Sequence, residues 1–194
     1  MRTVGSIAKQ TEAKKRIIML LAWEGRTPDR EQRTQMMKDA FGDSFHMLLF
    51  SVHPYQLPHE IASKAANANW GLRYATRHLF QRVGHSNADH FVVSTCDSDT
   101  LFHERYFESL TADYLSMLNS NHPDTHKTIW QAPLFYNWNL DQVSFVTRIT
   151  GLLRTTMTMG CLIPYSVNPM SCFSFSLNLA IHGGYWHPQI FMVS

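Results

Sequence analysis

The sequence predicts an α/β protein built on a largely parallel central sheet flanked by helices. Three observations carry that expectation. Short apolar runs, too short for helices, alternate with longer segments whose apolar residues recur every three or four positions. Glycine and proline punctuate the joins between the two kinds of segment. The alternation persists over the first two-thirds of the chain, which is the pattern of βαβ units with right-handed crossovers.

In order, Ile17-Ile18-Met19-Leu20-Leu21 reads as a buried strand broken by Gly25, Thr27 and Pro28. From Asp29, the helical spacing of Met36, Met37, Ala40 and Phe41 predicts a helix that Gly42 ends. Met47 to Val52 reads as a second strand, stopped by His53-Pro54. Beyond Pro58, the residues Ile61, Ala65, Ala68, Leu72, Ala75 and Leu79 form one stripe of period close to 3.6, a strong helix. Phe91-Val92-Val93 is a third strand, and Tyr106, Leu110, Tyr114 and Met117 mark the next helix. Ile129 to Leu134 reads as a fourth strand. A helix is expected from about Gln142 to Met159, then an irregular stretch through Pro164 and Pro169, then a short element ending at Gly183-Gly184.

The 194 residues suit one domain. With 44% hydrophobic and 16% charged residues, the composition excludes a disordered chain. The net charge is +2 and the basic residues are dispersed, so no nucleic-acid partner is expected. Cys96, Cys161 and Cys172 are odd in number and widely spaced. They read as buried or partly buried thiols in a reducing compartment, not as a disulfide scaffold or zinc site. Residues 1–15 read as a flexible basic flank without the apolar core of a signal peptide. No apolar run is long enough to span a bilayer. Ile149 to Val167 comes nearest but is broken by Arg154 and several threonines, which leaves room for an amphipathic helix resting on a membrane or another domain. The eleven histidines are scattered, with His85, His90 and His103 flanking the third strand, and no H-E-x-x-H, G-x-S-x-G or P-loop spacing occurs.

The most informative run is Cys96-Asp97-Ser98-Asp99, directly after the third strand. Loops at the carboxyl ends of such strands build ligand sites. Alternation aims both carboxylates to one side, where they repel each other unless a cation sits near them. Their oxygens suit Mg²⁺ or Mn²⁺, an ion that takes its remaining ligands from phosphate and water. The same residues could instead be turn formers, with Asp99 or Thr100 capping the next helix.

Four segments in order make the chain resemble a family-2-type glycosyltransferase of the GT-A fold, similar to the cellulose- and chitin-synthase-like group. They are Ser63-Lys64-Ala65-Ala66-Asn67-Ala68-Asn69-Trp70, Val92 to Thr100 with its D-x-D, Ile129-Trp130-Gln131-Ala132-Pro133, and Phe173-Ser174 through Gly183-Gly184-Tyr185. The resemblance implies one partial catalytic domain, with residues 16–135 binding the donor and 136–194 forming a truncated acceptor side. It implies Asp99 as the main ligand of Mg²⁺ or Mn²⁺ on the donor diphosphate and Asp97 as its helper toward the ribose or sugar. Lys64 and Asn67 would lie at the nucleotide end of the donor pocket, and Gln131, Gly183 and Gly184 on the acceptor side. The implied partners are a nucleotide-sugar and a carbohydrate or lipid acceptor. A membrane-associated parent with its catalytic domain facing the cytoplasm is implied, or a cytoplasmic protein otherwise. The family's opening base-binding strand has no counterpart before Ile17. No acidic pair follows Gly184-Tyr185 to serve as catalytic base, and His187 is a poor substitute. The expected chain is therefore an internal piece, incomplete at both ends and impaired as a transferase. The other readings are an inactive nucleotide- or metal-binding fragment and a metal-dependent phosphohydrolase.

Overall fold

A computed structural model describes residues 1–131, 133–135, 141–162, 164–165 and 172–186. Among these, seven helices and five strands run in the order α1 (Arg2–Ala8), α2 (Ala13–Arg16), β1 (Ile18–Glu24), α3 (Arg30–Phe41), β2 (Met47–His53), α4 (Lys64–Val83), β3 (Val92–Thr95), α5 (Tyr106–Asn119), β4 (Ile129–Gln131), α6 (Phe145–Met157), β5 (Phe173–Ser176) and α7 (Leu177–His182). The chain is thus mixed α/β, and none of these helices is long and apolar enough to cross a membrane.

The expected parallel sheet is present only as a pair. β1 and β2 run parallel from Ile18 opposite Met47 to Glu24 opposite His53. α3 connects them, with Asp29 before it and Gly42 at its end as the sequence predicts, though no α3 residue is fully buried. α4 packs on both strands. Ala65, Leu72, Ala75 and Leu79 of its predicted stripe are buried, whereas Ile61 lies before the helix and is exposed. At Gly71 a Cβ would come within 3.0 Å of Leu20 Cδ2 and 3.2 Å of Ala22 Cβ, so glycine lets the helix approach β1 closely.

β3 and β4 do not extend that pair, which corrects the expected largely parallel central sheet. They flank β5 in a separate three-stranded sheet, and both run antiparallel to it. The reason lies in the alternation Phe173-Ser174-Phe175-Ser176. With a period of two, the phenylalanines turn to one face, where Phe175 packs with Leu72, Leu177 and Ala180. The serines turn to the other. Ser174 Oγ lies 2.6 Å from Ser94 Oγ and 3.3 Å from the Tyr106 hydroxyl of α5, and Ser176 Oγ donates to the His126 carbonyl. Both faces are therefore satisfied, one by apolar contact and one by hydrogen bonds.

Residues 1–15, read from the sequence as a flexible flank, form α1 and α2 instead. Val4, Ile7 and Ala13 bury against Phe45, Met19, Leu21, Phe102 and Phe107. Apolar positions 4 and 7 sit one helical turn apart, so α1 presents a small apolar face despite its basic neighbours.

Candidate functional site

The acidic run lies where β3 ends. Thr95 is the last ladder residue, and a turn closed by Thr100 N–H on the Asp97 carbonyl carries Ser98 and Asp99 outward. The strand alternation that would have aimed Asp97 and Asp99 together therefore stops at the turn. Asp97 is half-buried and Asp99 exposed.

Asp97 faces the start of α4, and Lys64 Nζ donates to its Oδ1. Ser63 caps α4 by accepting from Ala66 N–H at 3.2 Å, which makes Lys64 the first helical residue. A cation there opposes the helix dipole, and the first turn of α4 has no acidic residue of its own. Asp97 supplies that negative charge from another element. One turn further on, Asn67 donates from Nδ2 to the Ala22 carbonyl near the carboxyl end of β1, at 2.9 Å. Its Oδ1 is buried without a hydrogen-bond partner, as is Trp23 Nε1. Lys64, Asn67 and Asp97 thus converge where α4 begins and β1 and β3 end.

Beside them, a cleft at the carboxyl ends of β1 and β2 is lined by Glu24, His53, Tyr55, Leu57, Glu60 and Ser63. His53 Nε2 lies 2.7 Å from Glu60 Oε1, close enough to attract but without the alignment of a hydrogen bond. Arg26 pairs with Glu24 and sits 5.2 Å from the Tyr55 ring centre.

Several residues that hold the acidic loop carry no sequence signal. Thr3 Oγ1 donates to the Ser98 carbonyl at 2.6 Å, and Gln10 Nε2 to the His103 carbonyl at 2.7 Å. Phe102 N–H donates to Ser6 Oγ and Phe107 N–H to Gln10 Oε1. α1 and the turn after it therefore clamp the loop from behind. Their polar residues look like ordinary surface until the loop is folded against them.

The acceptor-side candidates lie elsewhere. Gln131, on β4, donates to the Cys172 carbonyl at 2.9 Å and so fixes the entry to β5. Gly183 and Gly184 end α7. Tyr185 N–H bonds to the Ala180 carbonyl and Gly184 N–H to the Ile181 carbonyl, the paired bonds of a Schellman cap, with Gly184 at φ +73°. Arg73 of α4 ties this corner down. It donates to the Gly184 carbonyl at 2.8 Å and lies 4.3 Å from the Tyr185 ring centre. Arg73 is nine residues from Lys64, about 14 Å along the helix axis. The same helix thus carries Lys64 and Asn67 at its start and, through Arg73, holds the Gly184 corner further along. Among the aromatics, Trp130 donates to Asp113 and packs edge-on against Tyr114, while Phe135 is exposed. Tyr136, Trp138 and His187 lie outside the described residues.

The thiols differ from one another. Cys161 is exposed and Cys172 buried. Burial first, then the charges of Asp97 and Asp99, push the Cys96 thiol up to about 11. Burial, then Cys96 and Asp97, push Cys172 up to about 12. One position past the Thr95–Phe173 pair, the register sets these two cysteines opposite each other, and both are free thiols.

For a divalent cation, the donor set is Asp97 and Asp99, hard oxygens at an open loop. The described residues hold no group of three or more His, Cys, Asp or Glu that could ligate a metal. Asp97 is engaged by Lys64 and Asp99 lies exposed on the turn, so the joint aim expected from strand alternation is lost at the end of β3. Comparisons with protein-family models, curated proteins and solved structures found no match.

Proposed function

We propose that this chain carries the donor-binding part of a divalent-metal-dependent glycosyltransferase. It would take a nucleotide-sugar and pass the sugar, with inversion, to a hydroxyl of a carbohydrate or lipid. The observation that supports this best is the Lys64–Asp97 pair joining the start of α4 to the end of β3. A lone carboxylate at a helix start would be an ordinary cap. Paired with a lysine beside a second carboxylate, it offers one group for a cation and another for a phosphate oxygen.

In this reading Asp97 and Asp99 hold Mg²⁺ or Mn²⁺, which neutralises charge on a diphosphate leaving group. Lys64 exchanges Asp97 for a diphosphate oxygen when donor binds. The exchange leaves the ammonium paired in both states. The positive end of the α4 dipole adds favourable charge toward the same oxygens. Asn67 offers its unpartnered Oδ1 to a donor hydroxyl. Gln131, Gly183 and Gly184 shape the acceptor side through backbone positions. Attachment to a membrane through a larger parent protein belongs to the same proposal.

Donor binding without transfer is the second reading. Release of nucleoside diphosphate from a panel of nucleotide-sugars separates the cases. Release only with a hydroxyl acceptor supports transfer, and release without one supports a phosphohydrolase. Binding without release supports the second reading, and no cation-dependent binding at all refutes the donor site.

A further inference from the structure

We propose that Cys96 and Cys172 form a reversible disulfide across the β3–β5 pair, closed by exchange with a low-molecular-weight disulfide such as oxidised glutathione. This is independent of the sugar-transfer reading. The hydrogen-bond pattern of the two strands carries it. Leu177 N–H donates to the Phe91 carbonyl just outside the ladder. In an antiparallel pair, hydrogen-bonded and non-hydrogen-bonded partners alternate. Counting from Phe91 opposite Leu177, the pairs Val93–Phe175 and Thr95–Phe173 are of the hydrogen-bonded kind. Val92–Ser176 and Ser94–Ser174 are of the other kind, and Cys96 opposite Cys172 is the next of it. Such partners bring their Cα atoms to about 4.5 Å, inside the window of about 4.4–6.8 Å that a disulfide needs.

The neighbouring serines measure how close side chains come on this face. Ser94 Oγ lies 2.6 Å from Ser174 Oγ. Two positions further along β3 and two back from Ser174, the cysteines project to the same side. The Tyr106 hydroxyl of α5 shows that the face continues to them. It lies 3.3 Å from Ser174 Oγ and senses both Cys96 and Cys172. Turning each cysteine about its Cα–Cβ bond to the setting the serines use brings the two sulfurs within bonding reach without moving the backbone. Cys96 is half-buried and Cys172 is 2% exposed, so Cys96 is the thiol an oxidant meets first. The Cys96 thiolate attacks one sulfur of oxidised glutathione and forms a mixed disulfide, and the glutathione expelled takes up the proton that Cys96 lost. The Cys172 thiolate then attacks the Cys96 sulfur, and the second glutathione leaves with the proton of Cys172. Two protein thiols become one disulfide, and the two electrons they lose reduce one oxidised glutathione to two thiols. The bridge ties the residue before Asp97 to the entry of β5, where Gln131 already holds the Cys172 carbonyl. Thr100, at the far end of the acidic turn, interacts with the Cys172 side chain, so oxidation acts on that turn from both ends.

Cys161 is exposed and shares a tryptic fragment with Cys172, since no Lys or Arg follows Arg154 in this chain, so the test uses Cys161→Ser. The folded, reduced variant is brought to equilibrium with excess oxidised glutathione. Mass spectrometry should show the loss of two hydrogens and a Cys96 fragment joined to the Cys172 fragment, both reversed by dithiothreitol. Closing so long a loop should raise the melting temperature by about 4–16 °C. Cys161→Ser/Cys172→Ser should stop at a mixed disulfide of Cys96 with glutathione and show no such rise. Should Cys161→Ser not fold, wild type with Cys161 blocked by iodoacetamide replaces it. Two thiols left free, glutathione retained on Cys96 while Cys172 is intact, or a link found only between two chains overturns the proposal. So does a bridge that leaves the melting temperature unchanged or lowers it, since the serine geometry would then not extend to the cysteines.

Discussion

Replacing Lys64 with Met keeps most of the side-chain stem and removes the charge facing Asp97. The two side chains are 36% and 37% exposed, so the pair is partly screened. Pairs of this kind contribute about 0.2–1 kcal/mol. The same substitution removes a cation from the start of α4, where it opposes the helix dipole by about 0.3–1 kcal/mol. The two effects oppose each other, so the melting temperature should move by less than about 4 °C. The consequences for ligands are larger and of opposite sign. Lys64 competes with any cation for Asp97, so Lys64→Met should tighten Mn²⁺ binding by up to about five-fold, the equivalent of about 1 kcal/mol. A diphosphate loses a charged hydrogen bond worth about 1.5–3 kcal/mol, and its affinity should fall about 10- to 150-fold. Free Mn²⁺ can be followed by electron paramagnetic resonance, diphosphate by titration calorimetry and stability by thermal unfolding. Mn²⁺ and diphosphate affinities falling together would refute the exchange of Lys64 between Asp97 and phosphate. A melting point lowered by more than about 8 °C would make Lys64 a structural pin instead.

Phe175→Ala removes a ring that is 5% exposed at the centre of the antiparallel sheet and should cost about 3–5 kcal/mol, lowering the melting temperature by about 6–20 °C. A surface-like loss would place β5 outside the core. Arg73→Ala should loosen the Gly184–Tyr185 corner by about 1 kcal/mol, read as roughly five-fold faster amide exchange there with little change elsewhere. The raised thiols predict a pH effect. Cys96 and Cys172 hold their protons in the fold above the ordinary value of 9.0, so their contribution is complete below pH 9 and lost as the pH rises toward about 11 to 12. Unfolding midpoints should therefore fall across that window, and less so in Cys96→Ala/Cys172→Ala. At neutral pH iodoacetamide should modify exposed Cys161 first.

Much of the local structure was legible because it is periodic. The stripe through Ala65, Leu72, Ala75 and Leu79 marks α4, and the run Met47 to Val52 marks β2, since both signals come from a single element. β5 was legible only as part of a short element ending at Gly183-Gly184. Its period-two alternation lasts four residues, and its place as a central strand comes from pairing with β3 and β4, far away in the chain. The parallel sheet was over-extended for the same reason, because apolar runs state that a strand exists and not which strand it joins. At the site, Lys64, Asn67 and Asp97 were named from the sequence and come together, but Asp99 turns outward because the strand ends at Thr95. Thr3, Ser6, Gln10 and Arg73 were missed. Each acts through a backbone carbonyl or amide distant in sequence, and no side-chain pattern encodes such partners.

The most direct test of the donor site is calorimetric titration of a nucleoside diphosphate with Mn²⁺ and with chelator, in wild type and Asp97→Asn. Binding should require the cation. It should weaken at least about tenfold in Asp97→Asn, matching the loss of one charged contact. Equal affinity in chelator, or an Asp97→Asn variant that binds as wild type does, would contradict the assignment of Asp97 and Lys64 to a donor diphosphate.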